Sequence, residues 1–350
     1  MKRSMIAVIG LVVVVGMASS ALAAPTIYTL TPLTGYTGIN VSAINDSAAA
    51  VGYCTNTTGG AVAFIWTQSG GMVALGGAGA LYARDINNKG QIVGDSSTGQ
   101  SIYWASNTAT ASVITLAGYN GGVANEINES GQVAGRAGYN MTLVGGTNNT
   151  SNRKGYVWDS AVNTIVFSPN ANGIVVQEFL DINDNSVAVG GQRARYDAAT
   201  STMTLLGSGT WGTGRDINNA GTAVGTDGLN YAFQQTSGGV ITPLGALTGY
   251  TASQTTPMGI NELGQVVGDC GYGAKAFIWE NGTMTDLNTV LGNSSWILKN
   301  ANDINESGWI VGQATYNSAA VGYVMTPEPA TMAFLALGGI GMLLRRRRSK

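Results

Sequence analysis

The 350-residue sequence contains no histidine. That absence removes the commonest general base, the commonest zinc ligand and the usual partner of a serine or cysteine nucleophile. Charge is scarce too: Asp, Glu, Lys and Arg make up 10% of the chain, against about a quarter in an ordinary soluble domain. Proline is rare, 7 residues against 51 Gly, and Thr, Asn and Val are abundant. This mixture suits short strands and tight turns rather than helices. The hydrophobic fraction of 44% still allows a sizeable core.

The formal net charge of −2 conceals an uneven distribution, because both ends are basic. Residues 24–326 hold 10 basic side chains against 18 acidic ones, a net of −8. An acidic body does not recruit phosphate backbones, so nucleic acid is not an expected partner.

Residues 1–23 read as a secretory signal peptide. Lys2 and Arg3 form a basic start, Met5 to Met17 an apolar stretch, and Ala21-Leu22-Ala23 a small-x-small cleavage site before Ala24. The expected handlers are the Sec machinery and signal peptidase. At the other end, Pro327-Glu328-Pro329 precedes the apolar run Ala330 to Leu344, then Arg345, Arg346, Arg347 and Arg348. The prolines break the backbone pattern, the run predicts a short membrane helix, and the arginines are expected to stay cytoplasmic. Expected organisation is therefore 1–23 signal peptide, 24–326 body, and 327–350 sorting and membrane segment.

The body repeats itself. Ile-Asn recurs with its Asn at Asn45, Asn87, Asn128, Asn183, Asn218, Asn261 and Asn305, spaced 42, 41, 55, 35, 43 and 44 residues apart. Seven residues after each Asn stands a Gly: Gly52, Gly94, Gly135, Gly190, Gly225, Gly268 and Gly312. Chance alone gives that column with a probability on the order of one in a million. Three residues after the Asn a second Gly is usual, with Ala48 and Ser186 as exceptions. Asn-x-x-Gly between apolar strands is turn chemistry: the amide bonds nearby backbone, and Gly takes the positive φ. An aromatic strand such as Ala63-Phe64-Ile65-Trp66 and a fourth strand such as Met72 to Gly76 follow.

Four short strands in about 40–45 residues is the size of a propeller blade. The first copy of the fourth strand, Thr26 to Leu33, precedes every anchor, and the last repeat lacks its own. The prediction is an all-β, seven-bladed β-propeller in which the N-terminal strand completes the C-terminal blade, hiding the edges of an open sheet. The alternative fold is a β-solenoid. The long spacing fits a surface-loop insertion around Gly138 to Gly155. Cys54 and Cys270 occupy equivalent places two blades apart, beyond the ~7 Å reach of a disulfide, and are expected to be unpaired.

Two resemblances add to this reading. The Pro-Glu-Pro motif, apolar run and arginine cluster resemble the PEP-CTERM sorting signal. That likeness implies an exosortase-type membrane enzyme as partner. It also implies an inner-membrane intermediate, then a place on the cell surface or in the extracellular matrix of a Gram-negative bacterium. The Ile-Asn-x-x-Gly-x-x-Val-Gly hairpin and Ala-Phe-x-Trp strand resemble the HAF family of extracellular repeats. The His of that family's triplet is missing before Ala63, Ala232 and Ala276, and no activity comes with the likeness.

Candidate chemistry is sparse. Asp85, Asp181, Asp216 and Asp303 precede Ile-Asn, and Glu126 stands in that place in a fifth repeat. Asp-x-Asn-x-x-Gly superficially resembles a calcium loop, but the further carboxylates and late bidentate Glu are missing. The favoured reading is that these side chains satisfy turn and inter-blade backbone groups. Strand aromatics are expected to pack between blades, whereas Trp211, Trp296 and Trp309 fall outside the pattern and are expected on an exposed face. No cofactor or metal is called for. The expectation is a non-enzymatic binding or structural module, with exopolysaccharide as ligand. A carbohydrate-active enzyme using channel carboxylates is the alternative.

Overall fold

The computed structural model describes residues 25–138, 153–169, 176–207 and 212–327. The predicted signal peptide with Ala21, Ala23 and Ala24, the tip of the insertion, Trp211, and the sorting residues Glu328, Pro329 and Arg345 to Arg348 lie outside them.

Each Ile-Asn repeat folds as the sequence dictates. In the first, Gly38–Ile44, Ala50–Thr55, Ala61–Thr67 and Gly71–Ala74 pair in that order as an antiparallel sheet. Among the described residues there are six such four-stranded sheets and one five-stranded sheet, the seven blades of a β-propeller. The Ile-Asn strand is innermost in each and lines a central channel. All seven sheets lie within Pro25–Pro327, and this segment is one compact unit that holds the core of the described residues.

The last blade is closed by the first strand. Ile27–Leu30 pairs antiparallel with Ala319–Met325, Ile27 opposite Met325 and Leu30 opposite Gly322. The inner strand of this blade is split into Trp296–Leu298 and Asp303–Ile304, both pairing with Ile310–Tyr316. The core sits between neighbouring blades. Trp104 is fully buried against first-blade residues and donates its indole N–H to the Gly76 carbonyl at 2.9 Å. Trp66, Trp158 and Trp279 are buried likewise. Cys54 and Cys270 are buried free thiols.

Two of the tryptophans expected on an exposed face are not exposed. Trp296 is buried, because it opens the split inner strand and packs beside the short helix Leu287–Leu291 and Tyr316. Trp309 is half-buried, stacked on Tyr28 of the closing strand with ring centroids 6.1 Å apart. Both positions lie off the repeat pattern because they serve the one blade built from both chain ends.

The two glycine columns have different causes. The Gly of Asn-x-x-Gly sits at positive φ, as at Gly90 (φ 74°), and the exceptions Ala48 (57°) and Ser186 (61°) adopt the same left-handed conformation. The later column is a matter of space. Every inner strand but the split one carries a β-bulge just before its Ile-Asn. At each of the seven sites the inner-strand carbonyl presses on the paired glycine; a Cβ on Gly94 would lie 1.9 Å from the Tyr82 oxygen. Gly94→Ala is therefore expected to cost at least about 3 kcal/mol, because backbone must move. Gly90→Ala, with open space around it, should cost only about 1 kcal/mol of left-handed strain. Urea midpoints of the two variants check this, and equal losses would refute the close-approach explanation.

Candidate functional site

The channel has two chemically different ends. At the Asn-x-x-Gly turns, the carboxamide of each anchor Asn accepts one or two of its own turn's backbone N–H groups and donates across to the next blade. Asn45 Nδ2 donates to the Asn87 carbonyl, Asn87 to Asn128, Asn128 to Asn183, Asn183 to Asn218, Asn218 to Asn261, Asn261 to Asn305, and Asn305 back to Asn45. These seven bonds, 2.9–3.2 Å long, form a closed belt.

A second closed belt surrounds it. The backbone N–H of the residue after each Asn donates to the side chain at the same place in the next blade. It runs through Asp46, Asn88, Glu129, Asp184, Asn219, Glu262 and Glu306 and returns to Asp46. Its sequence signal is an acid or amide after every Ile-Asn, which the motif reading passed over.

Deeper in the channel, the carboxylates before Ile-Asn also reach across. Asp85 accepts from Ile127 N–H (2.8 Å), Asp181 from Ile217, Asp216 from Ile260, and Asp303 from Ile44 (2.8 Å). This is the inter-blade role expected for them. A cavity of about 320 Å³ lies at this end, lined by ten of the body's 18 acidic side chains and no basic one. Burial raises the carboxyls of Asp85, Glu126 and Asp181, and Asp85 and Asp216 respectively add to the rise at Glu126 and Asp181. Burial pushes Asp303 up to about 8 and Glu306 up to about 7. Among the described residues, no group of three or more acidic, His or Cys side chains is arranged to hold a metal ion.

A pH dependence follows for Asp303. Its folded pKa of about 8 lies above the ordinary 3.8, so folding takes up a proton between those values. Its contribution to stability is complete below pH about 4 and declines as pH rises to about 8, by up to about 1.4 kcal/mol per pH unit. Asp303→Asn cannot ionise and should flatten the fall of the thermal midpoint between pH 4 and 8. An unchanged slope would show that Asp303 is ionised throughout.

The opposite, loop end is built from two columns that vary while the repeat around them stays fixed. One is the residue after the tightly packed Gly, namely Tyr53, Asp95, Arg136, Gly191, Thr226, Asp269 and Gln313. The other is the bulged residue two before Ile-Asn, which includes Arg84, Asn125 and Arg215. Tyr53 and Tyr82 meet edge to face with centroids 4.7 Å apart. Arg84 pairs with Asp95, its guanidinium 6.0 Å from the Tyr82 ring centroid. Glu178 accepts from Asn125 at 2.9 Å and pairs with Arg136 at 3.2 Å. Burial lowers the Arg153 guanidinium, and the charge of Arg136 adds to that. Arg215 is lowered by burial, with Asp269 and Glu178 opposing. The sequence reading missed all of these residues; variation inside an otherwise fixed repeat was the signal available.

Residues 326–348 match the model of the PEP-CTERM protein-sorting motif. The motif implies an exported protein, handled at the membrane and processed by exosortase, a membrane enzyme. Among the described residues no helix is long and apolar enough to cross a membrane; the apolar run 330–344 lies outside them. No curated protein matches the chain. Among solved structures, TolB from Acinetobacter baumannii is 14% identical with a TM-score of 0.43, covering 84% of this chain, and this chain spans 66% of TolB. A structural-genomics protein of unknown function from Bacteroides thetaiotaomicron is 12% identical with a TM-score of 0.41, covering 87% of this chain and 94% of its own.

Proposed function

We propose that the propeller is a non-enzymatic module that binds extracellular polysaccharide through the loop end of its channel, on the cell surface or in the matrix of a Gram-negative bacterium. The observation that carries this reading is the loop-end cluster. Half-buried tyrosine rings, a bridging Asn and paired charges supply the flat apolar faces and hydrogen-bonding groups that sugars use. The ends of the body add support. Thr26 and Thr326 bond each other, and Pro327 lies against the turn residue Gly308. Both ends therefore leave at the turn face, and the loop end points the other way.

The second reading is a carbohydrate-active enzyme. It draws on two neighbouring carboxyl pairs in the channel, Asp85 with Glu126 and Asp181 with Asp216, whose members include carboxyls raised by burial. Against it, Asp85, Asp181, Asp216 and Asp303 already accept backbone N–H groups of the next blade. Affinity electrophoresis of residues 25–327 on the producing organism's own polysaccharide, with product analysis, separates the two. Retardation with intact polymer supports binding. Shortened polymer transfers the function to the carboxyl pairs, and absence of retardation ends the polysaccharide reading.

A further inference from the structure

We propose that the loop-end mouth is a site for an anionic saccharide, with Arg215 receiving the sugar's carboxylate or sulfate. This rests on the polysaccharide reading above and narrows its ligand class. The body carries a net −8, yet four of its ten basic residues, Arg84, Arg136, Arg153 and Arg215, gather at this mouth. Glu178 pairs with Arg136 at 3.2 Å, and its charge favours the guanidiniums of Arg84, Arg153 and Arg215.

Arg215 is the distinctive member. It stands at the bulge of its inner strand, half-buried, and forms no hydrogen bond or ion pair among the described residues. Its Nε is buried without a partner, and so is the Nε of Arg136. The carboxylates that face Arg215 are already engaged: Glu178 by Asn125 and Arg136, and Asp269 by the Gly273 N–H at 2.7 Å. A guanidinium taken partly out of water with its Nε–H unmet is costly to the free protein. A planar two-oxygen anion meets that fork in bidentate fashion, and a sulfate presents the same paired oxygens. The Tyr53–Tyr82 pair beside Arg84, in the first two blades, offers a surface for another sugar ring of the same polymer.

The test is calorimetric titration of residues 25–327 with three probes of equal length: a galacturonate oligomer, a sulfated dextran oligomer and a neutral dextran oligomer. At least one charged probe is expected to bind about ten- to hundredfold more tightly than the neutral one. Arg215→Gln should remove that advantage, while Lys89→Gln at the turn end should leave it intact. Whichever charged probe wins identifies the anion. The urea midpoint of Arg215→Gln should be unchanged or higher, because an unmet buried donor has been removed; a clear fall would mark Arg215 as a structural cation and overturn the assignment. Equal binding of neutral and charged probes, or unchanged binding by Arg215→Gln, overturns it as well while leaving polysaccharide binding in place. Failure of every probe to bind counts against both.

Discussion

Deleting residues 25–33 is expected to abolish cooperative folding rather than merely weaken one blade. Ile27 to Leu30 form the outer strand of the blade that joins the two chain ends, and Leu30 is buried in the cluster shared with the first blade. Tyr28 packs on both Trp66 and Trp309, so the strand bridges the first and last repeats. Burial of a Leu side chain alone stabilises by about 1.5–3 kcal/mol. The lost strand pairing and the aromatic contacts bring the total to the order of a domain's whole stability, about 5–15 kcal/mol. The deletion also leaves Ala319–Met325 as an open edge, which invites association. Size-exclusion chromatography with circular-dichroism melting should show aggregates and no sharp transition. A monomer melting at the parent temperature would mean that the ring is held without its strand closure. Grafting residues 25–33 after Pro327 through a flexible linker should restore folding, since only the order of connection changes.

The second large effect is expected at the Asn belt. Asn128 donates to the Asn183 carbonyl (2.9 Å) and the Gln132 side chain (2.9 Å), and accepts from the N–H groups of Ser130 and Gln132. Asn128→Ala strands these partners in a buried setting. Each unmet group costs about 1–3 kcal/mol, so a loss of about 3–5 kcal/mol is expected, with the melting midpoint down by roughly 10 °C. Asn128→Asp keeps the acceptor but turns an oxygen toward the Asn183 carbonyl, and should be no better. By contrast, Asn88→Ala at the exposed second belt should cost under about 1.5 kcal/mol. Similar losses at Asn128 and Asn88 would show that burial does not set the strength of the belt.

The repeat, its blade count and its closure were legible because each rests on local chemistry. Asn and Gly are required wherever the turn geometry recurs, and a displaced strand copy at the N-terminus leaves one place for it to pair. The turn amides and the inter-blade carboxylates could be named for the same reason. The direction in which they bond was not legible: a side chain that bonds its own turn and one that reaches the neighbouring blade look alike in a linear repeat. The reason for the Gly94 column was hidden for a related cause. The bulge that presses a carbonyl onto it arises from pairing between strands, which composition does not record.

The sequence by itself determined the ring, because periodic turn residues and an exchanged strand leave little freedom in how four-strand units can close. Only the tertiary structure decided that the channel is acidic at the turns and carries arginines at the loops. Charge placement around a channel depends on which residues of different blades converge, and Arg84, Arg136, Glu178 and Arg215 are far apart in the chain. The fates of Trp296 and Trp309 were decided in the same way. Their burial comes from the blade assembled from both ends, where contacts span nearly the whole sequence and no local pattern reports them.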